Sequence, residues 1–391
     1  MQSSLGKTVI PMGSLGILGG GQLGRFFTIA AQKMGYSVVV LDPDDKSPAG
    51  KIANKHICKP YDDLEALDQL KDICSFVTTE FENIPAETLR YLEKDIIVRP
   101  SSKAISIAQN RIKEKYFLKK CGMPVGTYFV IDTLESISKL DSNKVLIFPG
   151  ILKKAEFGYD GKGQIHVNNK AELEAAFIAF NSVPCTLELK LDLDGEFSVV
   201  LARSVDAKFV VYPVIRNYHE AGILDVSFIS GIDPEGEQSA CISLAKKVAN
   251  ELSYIGVMAV EFFISQGNIF VNEIAPRPHN SGHFSIDACG YNQFDQQVLT
   301  LTGNNLRKEA TQFPKSAMLN ILGDLWFRDG LLKEPKFEMI AGPGVTLHLY
   351  GKDQPRKGRK MGHITILGLI GQTDEEVLQR VEEVRKILLE N

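Results

Sequence analysis

The chain has 391 residues, 44% hydrophobic and 24% charged, enough to bury two or three cores of ordinary domain size. A net charge of −4 argues against a general nucleic-acid binder, and no apolar run approaches the roughly 20 residues a membrane span needs. Six cysteines without a Cys-x-x-Cys pair suit reduced cytoplasmic thiols, and Pro11 and Gly13 interrupt the N-terminal apolar stretch, which argues against a secretory signal.

In chain order, "LGILG" predicts a buried strand and "QLGRFFTIAAQKM" an amphipathic helix that Gly35 ends. "SVVVLD", "CSFVTTE" and "DIIV" read as further strands, and "DDLEALDQLKDI" and "PAETLRYLEK" as the helices between them. Such alternation implies parallel βαβ units, so residues 1–110 are expected to form a doubly wound α/β domain. Its first turn reads Gly19-x-Gly21-x-x-Gly24, with Asp42 at the distance where a ribose-binding acid belongs, which raises an NAD-dependent oxidoreductase as one reading. The same glycines also serve any turn that brings a phosphate or a neighbouring helix close to the backbone.

After "RIKEKYFLKKCGMPV", a basic amphipathic helix stopped by Gly122 and Pro124, the pattern becomes hairpin-like: "VLIFPGILKK", "GQIHV", "TLELKL", "GEFSVVLAR" and "KFVVYPVI". "SACISLAKKVANELSY" reads as one long helix. "GVMAVEFFIS" and "GNIFVNEIAP" form the arms of a hairpin that carry Glu261 and Glu273. A three-residue loop, Ser265-Gln266-Gly267, would pair Glu261 with Val271 and leave Glu273 a diagonal neighbour on the same face. A two-residue loop would send the glutamates to opposite faces. Two carboxylates on one apolar face need a cation between them, and hard oxygen ligands suit Mg²⁺; an exposed face paired with a lysine is the plainer alternative. From about residue 306 short strands return, and "DEEVLQRVEEVRKILLE" ends the chain as a helix.

Three further stretches carry chemistry. "KKAEFGYDGKGQ", residues 153–164, is no Walker loop, but three glycines around Lys162 could make a flap whose amides cover phosphate oxygens; a plain hairpin turn is the alternative. In "NEIAPRPHNSGH", His279 and His283 are four apart, yet Pro278, Ser281 and Gly282 disfavour the helix a zinc pair would need. Arg277 reads better as a holder of a carboxylate, bicarbonate or phosphate. "KDQPRKGRKMGH" is a basic turn, either solvated or a pocket for one phosphate.

Taken together and in order, "GILGGGQLGR", "EFENIP", "GYDGKGQ", "YPVIRNYHEAGIL", "GVMAVEFF", "NEIAPRPHNSGH" and "GRKMGH" resemble the 5-(carboxyamino)imidazole ribonucleotide synthases, ATP-grasp ligases of de novo purine synthesis. The resemblance runs from about residue 14 to about 370. It implies an N-terminal α/β domain (1–110), an ATP-grasp domain (111–305, lid about 123–186) and a small β-rich C-terminal domain (306–391). The implied substrates are ATP with Mg²⁺, bicarbonate and 5-aminoimidazole ribonucleotide, in a cytoplasmic homodimer. By position, the resemblance gives Arg111, Lys153, the flap Phe157, Gly158, Tyr159, Asp160, Gly161, Lys162 and Gly163, then Glu188, Leu189, Lys190, Leu191, Glu196, His219, Asn272 and Glu273 to ATP. Glu261 and Glu273 fall at the metal. Arg277, His279 and Asn280, with Tyr159 and Asp160, border the reacting groups, whereas Gly21, Gln22, Leu23, Glu80, Lys352, Arg359 and Lys360 face the ribonucleotide. One departure is Phe157-Gly158 where family members carry Gly-Gly; Phe lacks glycine's freedom in φ and implies a stiffer lid. A formate-dependent ribonucleotide transformylase and a non-catalytic nucleotide-binding regulator share the core pattern, but "RPHNSGH" and the paired glutamates favour the synthase.

Overall fold

The computed structural model describes residues 13–140, 147–156, 158, 162–230, 236–328 and 331–390. Phe157, Tyr159, Asp160 and Gly161 of the glycine flap lie outside the described residues.

Five parallel strands open the chain, in the order Lys55–Ile57, Ser37–Leu41, Ser14–Leu18, Phe76–Thr79, Ile97–Val98. Their β-branched runs are largely buried, as in a sheet covered by helices. The order reverses at Ser14–Leu18, so the crevice beyond the carboxyl ends of Ser14–Leu18 and Phe76–Thr79 is the switch point of a doubly wound sheet. Gly19–Gly21 and Glu80 follow directly on those two strands. The helix Gln22–Lys33 buries Leu23, Phe27, Ala30 and Ala31 at helical spacing, in one core with Phe294, Val298 and Leu301 of the helix Gln293–Thr302. Arg99 is buried and donates to the carbonyls of Thr300 and Leu301 at 2.7 and 2.9 Å, a cation on the C-terminal end of that second helix. The first domain is thus tied to the next one by both packing and charge.

A four-stranded antiparallel unit follows, in the order Tyr128–Ile131, Cys185–Leu189, Gly150–Lys154, Gln164–Val167. The helices Leu134–Ser138 and Lys170–Ala179 close its own core around Ile131, Leu152, Leu173, Phe177 and Leu187. This unit spans most of the stretch expected as the lid, about 123–186, and continues past it to Leu189.

The main sheet is antiparallel and runs Asn268–Ala275, Gly256–Ser265, Gly195–Arg203, Ile215–Glu220, Ile223–Ile229, Ser316–Leu322, Lys360–Leu367, Val345–Leu349. The strands of the β-rich C-terminal segment therefore extend this sheet, through the pairing of Ile223–Ile229 with Ser316–Leu322. The helix Glu237–Glu251 covers one end through Cys241, Ala245, Val248 and Ala249, and Asp374–Glu390 covers the other through Val377, Val381, Val384 and Leu388. Among the described residues no helix is long and apolar enough to cross a membrane.

Candidate active site

A cleft of about 690 Å³ lies where the lid, the main sheet and the N-terminal switch point meet. Its floor is the hairpin Gly256–Ser265/Asn268–Ala275. The loop is shorter than expected: Gln266 and Gly267 both have positive φ, at 50° and 70°, and form a two-residue turn that closes Ser265 on Asn268. Plain alternation from that turn would set Glu261 opposite Asn272 and put the glutamates on opposite faces. A β-bulge intervenes. Phe262 pairs with Val271, but Glu261 pairs with Glu273, so Asn272 is an extra residue and the two carboxylates stand directly across from one another. The expected three-residue loop and diagonal pairing are therefore both corrected, while the shared face holds.

The helix Arg111–Lys120, capped by Asn110, braces the bulge from behind. Lys115 donates to the carbonyl of Asn272 at 3.0 Å, and Glu114 accepts from the amide of Ile274 at 2.5 Å. Both side chains are almost fully buried, and burial pushes the Glu114 carboxyl up to about 8. Arg111, one turn earlier on the same face, reaches Glu273 at 3.3 Å.

Cations crowd the lid side of the cleft. Glu188 meets Lys153 at 3.2 Å and Lys115 at 3.3 Å, with Arg111 at 3.9 Å. Burial works to raise the Glu188 carboxyl, but these three cations outweigh it and hold it well below the usual range. Burial likewise lowers the Lys153 ammonium, against the pull of Glu188. Leu189, Lys190 and Leu191 continue from Glu188 along the cleft wall, which also takes Gly158, Lys162 and Gly163 of the flap. Glu196 and His219 lie across the opening at 3.0 Å; burial lowers the imidazole, and the hydrogen bond to Glu196 more than reverses that.

On the opposite wall, His279 Nε2 donates to Glu261 at 2.9 Å. Burial alone would raise Glu261, yet this bond and the positive charge around it hold the carboxyl well below the usual range. Behind His279 a buried polar chain runs from Nδ1 to Ser281 at 2.8 Å, on to Ser198 at 2.8 Å, Asn217 at 3.0 Å and Ser227 at 3.1 Å. It fixes the ring across three strands. Arg277 forms a two-point ion pair with Glu82, and neither amide atom of buried Asn280 has a hydrogen-bond partner in the protein. His283 does not join His279 at the cleft: it is fully buried, with its ring 4.9 Å from that of His363.

At the glycine turn, Glu80 accepts from the amides of Gly21 and, at 3.1 Å, Leu23. The helix N-terminus that would cradle a pyrophosphate already holds a carboxylate. Asp42 is no ribose ligand either: it is buried and accepts from Gly20 at 2.7 Å, Asp44 at 2.8 Å and the Tyr61 hydroxyl at 2.7 Å. Gln22 lines the cleft and accepts from Lys352 at 2.5 Å, while Lys352 also donates to the carbonyl of Lys360 at 2.7 Å. Lys360 itself lines the cleft. Arg359 sits further out, bonded to the carbonyl of Gln354 at 2.7 Å.

Sequence reasoning assigned no role to Glu82, Glu114 or Lys115. For the last two a signal exists: with Arg111 and Leu118 they fall at i, i+3, i+4 and i+7, the stripe that a surface helix turns inward.

Family models match the chain in three consecutive segments: a ribonucleotide synthetase preATP-grasp domain over residues 12–109, an ATP-grasp domain over 116–294, and a phosphoribosylaminoimidazole carboxylase C-terminal domain over 316–380. Fold and cleft together define an ATP-grasp ligase. The chain is 37% identical over 376 residues to the N5-carboxyaminoimidazole ribonucleotide synthase of Bacillus subtilis strain 168, covering 96% of each chain. A crystal structure of the Staphylococcus aureus N5-carboxyaminoimidazole synthetase with ADP matches with a TM-score of 0.88 at 35% identity, over 99% of this chain and 100% of that one. The Aspergillus clavatus enzyme with ADP and 5-aminoimidazole ribonucleotide matches with a TM-score of 0.85 at 26% identity, over 97% and 99%. This chain belongs to the N5-carboxyaminoimidazole ribonucleotide synthase family, ATP-dependent ligases that carboxylate aminoimidazole ribonucleotide in purine biosynthesis. The dinucleotide oxidoreductase reading of the glycine turn is set aside on both counts, geometry and kinship.

Proposed function

We propose that this chain joins bicarbonate to the amine of 5-aminoimidazole ribonucleotide through carboxyphosphate, forming 5-(carboxyamino)imidazole ribonucleotide, ADP and phosphate. The observation that carries this reading is the bulged hairpin, which sets Glu261 against Glu273 at the floor of a cation-rich cleft. Asn272 lines the same cleft, and its Oδ1 is buried without a hydrogen-bond partner, so the hairpin offers hard oxygen donors only, the set Mg²⁺ takes. Glu261, Glu273 and Asn272 would hold the ion, which when bound neutralises charge on the ATP phosphates.

Lys153 and Arg111 leave their internal carboxylates for phosphate oxygens as the nucleotide enters, and Lys153 meets the α-phosphate. Glu188, Leu189, Lys190 and Leu191 border adenine and ribose, with Glu196 and His219 beyond them. The flap 157–163, including Phe157, Tyr159, Asp160 and Gly161, covers the phosphates. A bicarbonate oxygen attacks the γ-phosphorus as the bond to the β-phosphate oxygen breaks and ADP departs. The substrate amine then attacks the carboxyl carbon, phosphate leaves and the amine gives up a proton. Arg277 and His279 hold the anionic carboxyl group, and the orphaned Asn280 amide finds its partners on substrate. Lys352, Arg359 and Lys360 take the ribonucleotide phosphate, and Gly21, Gln22, Leu23 and Glu80 border the rest of it. Reduced thiols, with all six cysteines free, support a cytoplasmic setting, and a homodimer is part of the same reading.

Measuring ATP turnover and carboxylated product with each substrate omitted in turn tests the proposal. Both are expected to require bicarbonate and the ribonucleotide together. ATP hydrolysis indifferent to the ribonucleotide would overturn it.

A further inference from the structure

Away from the cleft, side chains from all three parts of the chain pack around Phe26 of the helix Gln22–Lys33: His283, Phe294, His348, Tyr350 and His363. His348 and His363 are directly opposed on the paired strands Val345–Leu349 and Lys360–Leu367, with rings 4.6 Å apart. Asp287, on the short helix Ser285–Ala288, brings its Oδ2 to 2.9 Å from His348 Nε2. Ligand atoms of Asp287, His348 and His363 all lie within 4.8 Å of one another.

His363 is fully buried, and its Nε2 has no hydrogen-bond partner in the protein, a costly state for a polar atom. Its other nitrogen, Nδ1, meets the Tyr350 hydroxyl at 3.0 Å. If Nδ1 carries the proton and Tyr350 accepts it, Nε2 presents a lone pair, the outer-shell arrangement of a metal-bound imidazole. His283 is different: the amide of Gln293 is oriented by both backbone groups of His279, so its nitrogen donates to His283 Nδ1 and leaves the proton on Nε2.

We propose that His363, His348 and Asp287 form a site for a divalent transition ion of the zinc type, separate from the ligase centre. Two imidazole nitrogens and one carboxylate oxygen favour such an ion over Mg²⁺ or Ca²⁺, which prefer oxygens alone. Ligands of a tetrahedral zinc lie about 3.3 Å apart, the edge set by bonds of about 2.0–2.1 Å. Asp287 and His348 already stand near that span at 2.9 Å, and because the His348 and His363 rings lie 22° from parallel, sharing an ion requires the partly exposed His348 ring to turn out of the stack. His348 and Asp287 retain 20% and 14% of their side-chain exposure, so water can complete the coordination and the ion has a way in.

The test is metal uptake by the whole, chelator-stripped protein, titrated with Zn²⁺ against a chromophoric competitor and with Co²⁺ followed by its visible spectrum. Wild type is expected to bind about one equivalent more than His348→Ala and Asp287→Asn, with a tetrahedral Co²⁺ spectrum that both variants lose. Asp287→Asn is the near-isosteric arm should His348→Ala fold poorly, and ATP turnover without added zinc should match wild type in it. Equal uptake by wild type and both variants would overturn the proposal. So would uptake abolished by His279→Ala and retained by His348→Ala, which would place the ion in the ligase cleft.

Discussion

Glu80 accepts hydrogen bonds from the backbone amides of Gly21 and Leu23, so the first helix begins on a carboxylate supplied by its own chain. Glu80→Ala is expected to lower unfolding stability by about 1–2 kcal/mol, as loss of an N-terminal cap does. Ribonucleotide affinity should fall with it while ATP affinity holds. Chemical denaturation and calorimetry with each ligand check this; an unchanged denaturation midpoint would show that the cap contributes nothing.

Asp42 organises the same loop from the other side. Asn keeps only one acceptor oxygen, so in Asp42→Asn at least one of Gly20, Asp44 and Tyr61 loses its partner. A loss of about 1–3 kcal/mol is expected, the usual cost of a buried unsatisfied group. ATP affinity should not change. Weakened ATP binding would tie this loop to the nucleotide after all.

Glu261→Gln and Glu273→Gln each leave one carboxylate of the facing pair. Each variant should fold, by circular dichroism, yet turn over at a small fraction of the wild-type rate at saturating Mg²⁺, because charge stabilisation by the ion is worth several kcal/mol. Deleting Asn272 should be milder, since Glu273 then follows Val271 directly and still stands opposite Glu261. Near-normal turnover in either glutamine variant would mean that the facing glutamates are not the metal pair.

Glu114 gives stability a pH dependence of defined sign. Burial holds its carboxyl at about 8 against an ordinary 4.5, so the folded chain keeps a proton that the unfolded chain releases between those values. Its contribution to native stability is therefore largest at low pH, falls as pH rises from about 4.5 to 8, and is level above that. Glu114→Gln keeps an acceptor for Ile274 and should flatten this part of the curve. Identical stability–pH profiles for the two proteins would contradict it.

Lys352→Ala breaks the bond to Gln22 and removes one cation from the basic turn proposed to hold the ribonucleotide. A charge-assisted contact of about 1.5–3 kcal/mol corresponds to a rise in KM for the ribonucleotide of roughly 10- to 150-fold, with KM for ATP little altered. Steady-state kinetics with each substrate varied in turn decides, and a rise confined to ATP would move this turn to the nucleotide site.

Much of this architecture was legible in the sequence because it rests on local periodicity. The strand–helix alternation of the first hundred residues and the final helix Asp374–Glu390 follow from apolar spacing alone. The register of the Glu261–Glu273 hairpin did not, because a bulge is a single extra residue whose cause lies on another element, in the grip of Lys115 and Glu114. Asp42 was ambiguous for a related reason: a carboxylate about 20 residues past a glycine turn has the same spacing whether it holds a ribose or the loop itself. Glu82 and its pairing with Arg277 span nearly 200 positions, a distance over which local pattern carries no information. The continuity of the main sheet into the C-terminal segment was hidden likewise, since strand neighbours are chosen by tertiary packing.

That continuity has a consequence for selectivity. The arm bearing Glu261 and the strand Lys360–Leu367 are separated by five ladder steps of one hydrogen-bonded sheet. At about 4.8 Å a step, they lie at most about 24 Å apart along the sheet, a span the lid cannot change. If the ribonucleotide phosphate sits at the Lys360 end, as proposed, the frame would act as a caliper, and only a ribonucleotide of matching reach would deliver its amine to the other jaw. Analogues with a lengthened or shortened phosphate arm should bind yet go uncarboxylated, rejected by measure although every polar contact is available to them.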